Sequence, residues 1–404
     1  LPTAPIGAYA TIDDNGDPEI YAGTKTNLYE KVGPNWTDRT PSAYAAGDLD
    51  YWRFAQFDNM VVATNYADVP QRKVIGAAAD FADLASTGAA PRARQIGVIN
   101  RFVMLGDIDD GVAYPYAVQW SAIDDVTNWP TPDTSQARTV QSGRQYLKSG
   151  HGAVTGIGEG QFFGLIFQKR AITRVTYKGG DEVFQFETFE EQRGCWAPQS
   201  LIRVGPFFFF LAHDGWFVTN GQEVVPIGAG KVDRWFYNRV NTSRLKDITC
   251  GVDWTNKCIL WNFPSNVSGS GVTDTLLVLN FASQHRPFSW VQETVQMLLQ
   301  SYTQSMTLEG LDALFPSIDD MAESLDSPTW QGGTPTLMLF KSSKLGSLGG
   351  AALNAVFETG EADVNPFGFA FIRGIRPMVT GLPSSITAQL AGRNTLDNAG
   401  RVYG

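Results

Sequence analysis

Short stretches in which apolar and polar side chains alternate dominate this chain, and most of them end at Gly, Asn, Asp or Pro. Alternation with a period of two predicts strands that bury one face, and the residues between them predict tight turns. Asn220-Gly221 is the strongest of these turn signals because both residues tolerate a positive φ. The predicted strands are 52–57, 60–64, 96–99, 102–105, 162–167, 172–177, 201–204, 207–211, 216–219, 223–227, 247–252, 257–263 and 275–280.

Pairs of these strands recur every roughly 40 to 50 residues, which is the spacing of β-propeller blades. The sequence therefore predicts an all-β fold in which residues 1–345 form a β-propeller of about six to seven degenerate blades. A pair of β-sandwiches is the alternative. Several predicted blades end near a tryptophan, namely Trp36, Trp129 and Trp290. The predicted blades are 5–45, 49–92, 93–135, 150–192, 198–240, 245–292 and 296–345.

Three further segments refine this organisation. Four consecutive phenylalanines at 207–210 are apolar on both faces, which predicts a strand covered on both sides, as an inner propeller strand would be. Residues 308–325 have helical spacing but contain Pro316, so short turns are expected rather than one long helix. After the Gly-rich joint at 345–350, strands at 355–359 and 369–376 predict a separate C-terminal β-extension over 351–404.

Charge and cysteine content narrow the classes of function. Charged residues make up only 18% of the chain, which suits a subunit that hides surface in an assembly. The net charge of −10, without a long basic run, argues against tight binding of duplex DNA. Cys250 and Cys258 flank a predicted three-residue turn, where either a cross-strand disulfide or two reduced thiols is compatible with the spacing, and Cys195 has no partner. Neither a signal peptide nor a run of eighteen apolar residues is recognisable.

Candidate chemical groups do not complete any known pattern. The histidines are far apart in sequence, and two Gly-rich segments lack the residues of a phosphate loop or a dinucleotide fingerprint, so their glycines are interpreted as turn residues. Two acidic loops and three adjacent carboxylate pairs lack the full spacing of an EF-hand or of a glycosidase pair. The sequence therefore predicts no catalytic, cofactor-binding or metal-binding residue, and the chain is expected not to be an enzyme. The groups considered are His151, His213, His285, 228–231, 156–160, 13–17, 107–111, Asp124-Asp125, Glu190-Glu191 and Asp319-Asp320.

A set of short strings, in this order along the chain, resembles one family of virion proteins. Together they cover most of 18–380 and are similar to the tail nozzle, or packaged-DNA-stabilisation hub, proteins of short-tailed bacteriophages. The strings lie at 21–24, 28–29, 52–57, 63–65, 118–123, 166–172, 192–194, 197–198, 214–217, 230–234, 325–327 and 330–333.

The resemblance implies a structural, propeller-bearing subunit that forms a ring, commonly a homohexamer, at the distal end of the head-to-tail channel. It implies portal and adaptor proteins above, tail fibre, spike or needle proteins nearby, and genomic DNA that passes through without specific binding. The protein would be assembled in the host cytoplasm and end in the virion tail. The resemblance implies no active site and no cofactor.

Two expectations follow for this role. The inner wall of the ring should be neutral to acidic, because a cationic wall would hold the DNA phosphates. The polar segments 130–150 and 264–273, which lie outside the predicted strands, are the candidate gating loops. The alternative function is a glycan-binding or glycan-cleaving propeller acting as a receptor-binding tail part, since the eleven Trp and thirteen Tyr could stack on sugars.

Overall fold

The computed structural model divides the chain into two compact units, residues 1–349 and 350–404. In the second unit two short strands, Leu390–Gly392 and Arg401–Tyr403, pair in antiparallel fashion. The predicted strands at 355–359 and 369–376 lie outside the residues that the structure describes. Those residues are 1–13, 17–160, 162–180, 182–268, 272–303, 311–312, 317, 324, 333–348, 356, 387–388, 390–392 and 401–403.

The first unit consists of seven small antiparallel sheets, which we call blades 1 to 7 in chain order. Blade 1 contains β1 (Gly7–Ile12), β2 (Pro18–Gly23), β3 (Leu28–Val32) and β4 (Asn35–Asp38). Blade 2 contains β5 (Arg53–Phe57), β6 (Met60–Thr64), β7 (Gln71–Val74) and β8 (Ala82–Asp83). Blade 3 contains β10 (Arg92–Ile99), β11 (Phe102–Asp109), β12 (Ala113–Trp120) and β14 (Gly143–Tyr146). Blade 4 contains β15 (Val154–Gly158), β16 (Phe163–Gln168), β17 (Ile172–Tyr177) and β18 (Phe184–Glu190).

The remaining blades follow the same order of strands. Blade 5 contains β19 (Ile202–Val204), β20 (Phe207–Leu211), β21 (Trp216–Thr219) and β22 (Val224–Pro226). Blade 6 contains β23 (Thr249–Asp253), β24 (Cys258–Phe263), β25 (Thr275–Asn280) and β26 (Phe288–Gln292). Blade 7 has three described strands, β27 (Met297–Tyr302), β28 (Pro335–Lys341) and β29 (Lys344–Ser347).

Helices and short connecting strands are minor elements of the fold. The strands β9 (Thr87–Gly88) and β13 (Asn128–Trp129) form a parallel pair outside the blades. The helices are α1 (Ser135–Thr139) and α2 (Asp233–Tyr237), with 3₁₀ turns at Ser149–His151, Pro198–Ser200 and Thr242–Asp247. None of the described helices is long and apolar enough to cross a membrane.

The seven blades form a ring, so the fold is a seven-bladed β-propeller and the sequence prediction of fold class is confirmed. The first strand of each blade lies on the inside of the ring and contacts the first strand of the next blade, except that β15 contacts the turn Pro198–Ser200 ahead of β19. A parallel bridge between Ile99 and Gly160 shows that β10 and β15 end on the same side of the ring. The turns between first and second strands therefore share one face of the propeller.

Tight turns at this face are built from residues that accept a left-handed backbone. Phe57 pairs with Met60 and Ile99 pairs with Phe102, so each hairpin turns within two residues. The first residue of each turn, Asp58 or Asn100, has a positive φ. In blade 6 the turn is longer than predicted, because Asp253 pairs with Cys258 across a four-residue loop.

Packing between neighbouring blades forms the core. Phe208 and Phe210 lie in the cluster shared with blade 4, whereas Phe209 faces the cluster shared with blade 6. All three side chains are buried, which confirms the prediction that this strand is covered on both sides. Only Phe207, at the start of the strand, is partly exposed.

The ring closes through side-chain packing between blade 1 and blade 7, which we call the seam. Among the described residues no strand from one end of the chain joins a sheet at the other end. Instead, Phe340 of blade 7 is fully buried and lies 5.8 Å, between ring centroids, from Trp36 of blade 1. The terminal ammonium group of Leu1 donates a hydrogen bond to the Ser343 carbonyl at 2.8 Å. The other buried residues of the seam are Ala10, Ile20, Ala22, Met297 and Leu299.

The structure corrects the predicted end of blade 3 and the predicted loop at 130–150. Blade 3 extends to Tyr146 rather than to 135, because the polar strand β14 pairs with β12 as the outer strand. Segment 130–150 therefore contains α1 and β14 and is not a loop outside the strands. Trp36 and Trp290 do lie on outer strands, whereas Trp129 belongs to β13. Most of the predicted helical segment 308–325 lies outside the described residues.

Phe340→Ala tests the contribution of the seam to stability. We expect the free energy of unfolding to fall by about 3–5 kcal/mol, because the substitution removes a fully buried ring and leaves a cavity. Hydrogen exchange should rise first in blades 1 and 7, since no shared sheet joins these two blades. Phe162→Ala is the matched control, because this ring is 81% exposed and its loss should cost under about 0.5 kcal/mol. Equal losses for the two variants would contradict the role of the seam.

Candidate functional site

The axis of the propeller is the place where side chains from distant blades meet. Arg53, at the start of the first strand of blade 2, donates from Nη2 to the Pro198 carbonyl at 2.5 Å. Pro198 opens the turn that precedes blade 5, so this contact joins two sides of the ring across the axis. The guanidinium group also lies 5.7 Å from the centroid of the Tyr51 ring. Its buried Nε has no hydrogen-bond partner among the described atoms.

Two thiols near Arg53 are chemically inert at neutral pH. The Cys195 sulfur contacts the Ala197 carbonyl at 3.1 Å, and the Cys250 sulfur contacts the Leu201 carbonyl at 3.5 Å. Burial raises the pKa of each thiol to about 12, although the charge of Arg53 opposes the shift. A nucleophilic cysteine requires the thiolate, so neither sulfur is suited to catalysis.

The pairing of the strands that carry Cys250 and Cys258 shows whether these two cysteines can form the disulfide that their spacing allowed. Cys250 pairs with Trp261, and Cys258 pairs with Asp253, so the two thiols are not opposite each other. Both are free, as is Cys195. The cross-strand disulfide is excluded because the four-residue turn shifts the register from the one that the sequence suggested.

Asp107 is one of two described carboxyl groups whose pKa is raised to near neutral pH. It lies at an irregularity in the register between β11 and β12, and its φ of 53° is in the left-handed region. The Arg94 Nε lies 3.3 Å from its carboxylate, and Arg94 also donates to Asp50 at 2.8 Å. Burial raises the pKa of Asp107 to about 6, while the charge of Arg94 lowers it in part. A bulge of this kind redirects a side chain, here into the interior of the propeller.

Glu159 is the second carboxyl group with a raised pKa. It follows β15 and accepts a hydrogen bond from the Val98 backbone at 3.1 Å, while Arg203 donates to its backbone carbonyl at 2.8 Å. Burial raises its pKa to about 7. Its charge contributes to the raised pKa of Tyr9 on blade 1, so the two groups interact across the axis.

These two carboxyl groups can exchange protons near neutral pH, and they lie near opposite ends of the first strands. Asp107 lies beside Arg94, near the start of β10, whereas Glu159 follows the end of β15. Their described polar partners are arginines and backbone groups rather than a nucleophile. The arrangement therefore couples stability to pH and offers no nucleophile–base set.

The acidic loop 107–111 does not gather its carboxylates around a cation. Asp107 contacts Arg94, whereas Asp109 pairs with Arg92 at 3.0 Å and Asp110 pairs with Arg144 at 2.6 Å. Each carboxylate thus has a different arginine. In the other acidic loop, residues 14–16 lie outside the described part of the chain.

The remaining candidates from sequence are dispersed over the fold. Within the described ranges, no three His, Cys, Asp or Glu side chains come together as a possible metal site. His151 lies in a 3₁₀ turn, and His213 lies 3.9 Å from Asp214 in the turn after β20. His285 lies in the turn before β26, where its carbonyl accepts from Lys231.

The described carboxylates of the adjacent pairs each have a hydrogen-bond or ion-pair partner close by. Asp124 pairs with Arg101, and Asp125 accepts from the Thr127 backbone at 2.9 Å. Glu190 accepts from the Gln192 backbone, and Glu191 pairs with Lys148 at 2.5 Å. Asp319-Asp320 lies outside the described residues.

The two Gly-rich segments differ from each other in the structure. Residues 228–231 form a turn before α2, as predicted. The prediction of turn glycines at 156–160 is wrong, because Gly156 and Gly158 lie inside β15. A Cβ atom at Gly156 would come within 2.7 Å of Leu201, and one at Gly158 would come within 2.6 Å of Phe208. Close approach of blade 5 to β15 explains these glycines.

The two raised pKa values predict that stability falls between about pH 5 and about pH 8. A carboxyl group whose pKa is raised on folding contributes stability that is complete below its ordinary pKa and is lost as pH rises through the folded value. The free energy of unfolding should therefore fall by about 4 kcal/mol over this range as Asp107 and Glu159 ionise. The double variant Asp107→Asn, Glu159→Gln should show a flatter profile in urea titrations.

Glu293→Gln is the control for this measurement. The Lys341 ammonium group holds the pKa of Glu293 below its ordinary value, so that this carboxyl group titrates at a more acidic pH. Its substitution should leave the slope between pH 5 and pH 8 unchanged. An unchanged slope in the double variant would show that other groups cause the pH dependence.

No protein-family model matches this chain, and no curated protein is significantly similar to it.

Proposed function

We propose that the chain is a non-enzymatic structural subunit of a bacteriophage tail. Several copies form a ring, a homohexamer by analogy with the family that the sequence resembles. The ring continues the head-to-tail channel below the portal and adaptor proteins, near tail fibre, spike or needle proteins. It helps to retain the packaged DNA and permits its ejection, and the DNA passes through the channel without specific binding.

A row of exposed aromatic residues on one face is the observation that carries the proposal. Phe162, Phe207 and Trp254 are 81%, 38% and 41% exposed. They lie at the turns between the first and second strands of blades 4, 5 and 6, which share one face of the propeller. Exposed apolar side chains gathered on one face are typical of surfaces that another protein covers. We call these three residues the aromatic row.

The Arg53 side chain, which crosses the propeller axis, supports a DNA channel that is formed between copies of the chain. The Arg53 side chain reaches the Pro198 carbonyl across the centre of the ring of blades, which leaves no passage there for duplex DNA. A DNA channel in this assembly must therefore be enclosed by several subunits. The net charge of −10 suits such a channel, because a lining without clustered cations does not hold the phosphates.

Substitution of the aromatic row tests the assembly. Light scattering of the purified chain, in the presence of its tail partners, should give a mass several-fold above 44.2 kDa. The triple variant Phe162→Ser, Phe207→Ser, Trp254→Ser should remain folded but shift to the monomer mass, because the aromatic surface no longer contributes to association.

Leu49→Ser is the matched control, since Leu49 is also exposed but lies before the first strand of blade 2, away from the aromatic row. Its mass should equal that of the unsubstituted chain. Electron microscopy of labelled phage particles should place the chain in the tail. A wild-type chain that stays monomeric with its partners and is missing from particles would refute the proposal.

A further inference from the structure

Three cations without an acidic partner lie within nine residues of the connection between blades 5 and 6. They are Lys231, Arg234 and Arg239, and none of them forms an ion pair with a described residue. Gly230, Lys231, Arg234, Trp235 and Asn238 line a cleft at this position. In a chain of net charge −10, such a local excess of positive charge marks a surface suited to an anion.

Two tryptophans stand beside these cations. The rings of Trp235 and Trp290 lie 5.4 Å apart between centroids. The Arg239 guanidinium group lies 5.0 Å from the centroid of Trp235 and 5.1 Å from that of Trp290. Trp290 belongs to the outer strand of blade 6 and is 47% exposed, so part of its indole is available to a ligand. We call Lys231, Arg234, Trp235, Asn238, Arg239 and Trp290 the basic–tryptophan patch.

Contacts with blade 6 hold the patch in place. The Lys231 Nζ donates to the His285 carbonyl at 2.5 Å, and Trp235 packs edge-on against Phe263 at 6.2 Å. The Asn266 side chain donates to the Asn238 carbonyl at 2.8 Å, which leaves the Asn238 side chain exposed. A positioned patch loses less conformational entropy when a ligand binds than a mobile one does.

The one acidic residue of this stretch faces inward. The Asp233 carboxylate accepts from the Trp216 backbone at 3.1 Å, and a Cβ atom on Gly228 or Gly215 would clash with this carboxylate. The three cations are exposed, whereas the carboxylate packs against turn residues of blade 5.

We propose that the basic–tryptophan patch binds an acidic glycan. The exposed indole of Trp290 offers an apolar face to a sugar ring, as amphipathic aromatic side chains do at interfaces. Arg234 and Lys231 provide charged hydrogen bonds to a carboxylate or sulfate group of the glycan. Asn238 provides an amide group for a hydroxyl. The inference does not depend on ring formation, because it uses none of the residues of the aromatic row.

Charge density favours a glycan over a nucleic acid. Duplex DNA carries a charge every ~1.7 Å of its axis and needs a long cationic track. Here only three cations are gathered, and the net charge of −10 repels a dense polyanion. A glycan with one acidic group on every second sugar needs only a few cations and also uses the indole face.

Calorimetry with defined oligosaccharides tests the proposal on the full chain. The acidic probe is a hyaluronan hexasaccharide, and the neutral probe is a chitin hexasaccharide. The acidic probe should bind and the neutral one should bind at least about tenfold more weakly. Raising the salt concentration should weaken the binding of the acidic probe, because its charged contacts are exposed.

Single substitutions locate the binding site. Arg234→Gln and Trp290→Ala should each weaken binding of the acidic probe by roughly three- to tenfold. Arg138→Gln is the charge-matched control, because Arg138 is also exposed and forms no described ion pair. Tyr146→Ala is the aromatic control, because Tyr146 lies on the outer strand of blade 3 and has the same exposed fraction as Trp290. Both controls should bind like the unsubstituted chain.

Three outcomes would overturn the proposal. These are no binding of the acidic probe, equal binding of the neutral probe, and equal loss in the control variants. Binding of a short oligothymidylate as tightly as the acidic glycan would assign the patch to single-stranded nucleic acid instead. None of these results bears on the mass of the assembly, so failure here is distinguishable from failure of the proposed function.

Discussion

The apolar contact between blade 1 and blade 7 is the constraint on which the rest of the structure depends. Six of the seven neighbouring pairs of blades are joined by a short connection of the chain, but this pair has none. Phe340 and Trp36, together with the smaller apolar residues beside them, replace that covalent link. If the seam opened, blades on either side of the axis could move apart. The hydrogen bond between Arg53 and Pro198 would then lose its fixed geometry.

Closure of the ring also explains the raised pKa values of the carboxyl groups inside the propeller. Seven first strands meet there, so their side chains must share a small volume with groups from other blades. Charged groups placed in such a volume lose hydration, which raises the pKa of Asp107 and Glu159. Raised pKa values often mark catalytic groups. In this propeller they follow from burial beside arginines and backbone groups, without a nucleophile at hydrogen-bond distance.

The strands could be predicted from sequence wherever both their apolar pattern and their turns were strong. Segment 207–211 was predicted to the residue because its run of phenylalanines is buried between two blades. The strand β14 was missed because an outer strand with polar side chains has no apolar alternation to detect. The glycines of β15 were misinterpreted because a sequence does not show how closely a neighbouring blade approaches. Register is equally hidden, since the loop is one residue longer and begins one residue later than predicted, which places Cys250 opposite Trp261 rather than Cys258.

The basic–tryptophan patch could not be predicted for a related reason. Its cations are spaced along a connection with an ordinary composition, and Trp290 comes from the outer strand of the next blade. Only the fold places the Trp290 indole beside Arg239. The basic–tryptophan patch lies at the rim of blades 5 and 6, whereas the aromatic row lies at the turns on one face of the propeller. A subunit that covers the aromatic row therefore uses no residue of the basic–tryptophan patch. The same chain can take part in an assembly and also bind an acidic ligand.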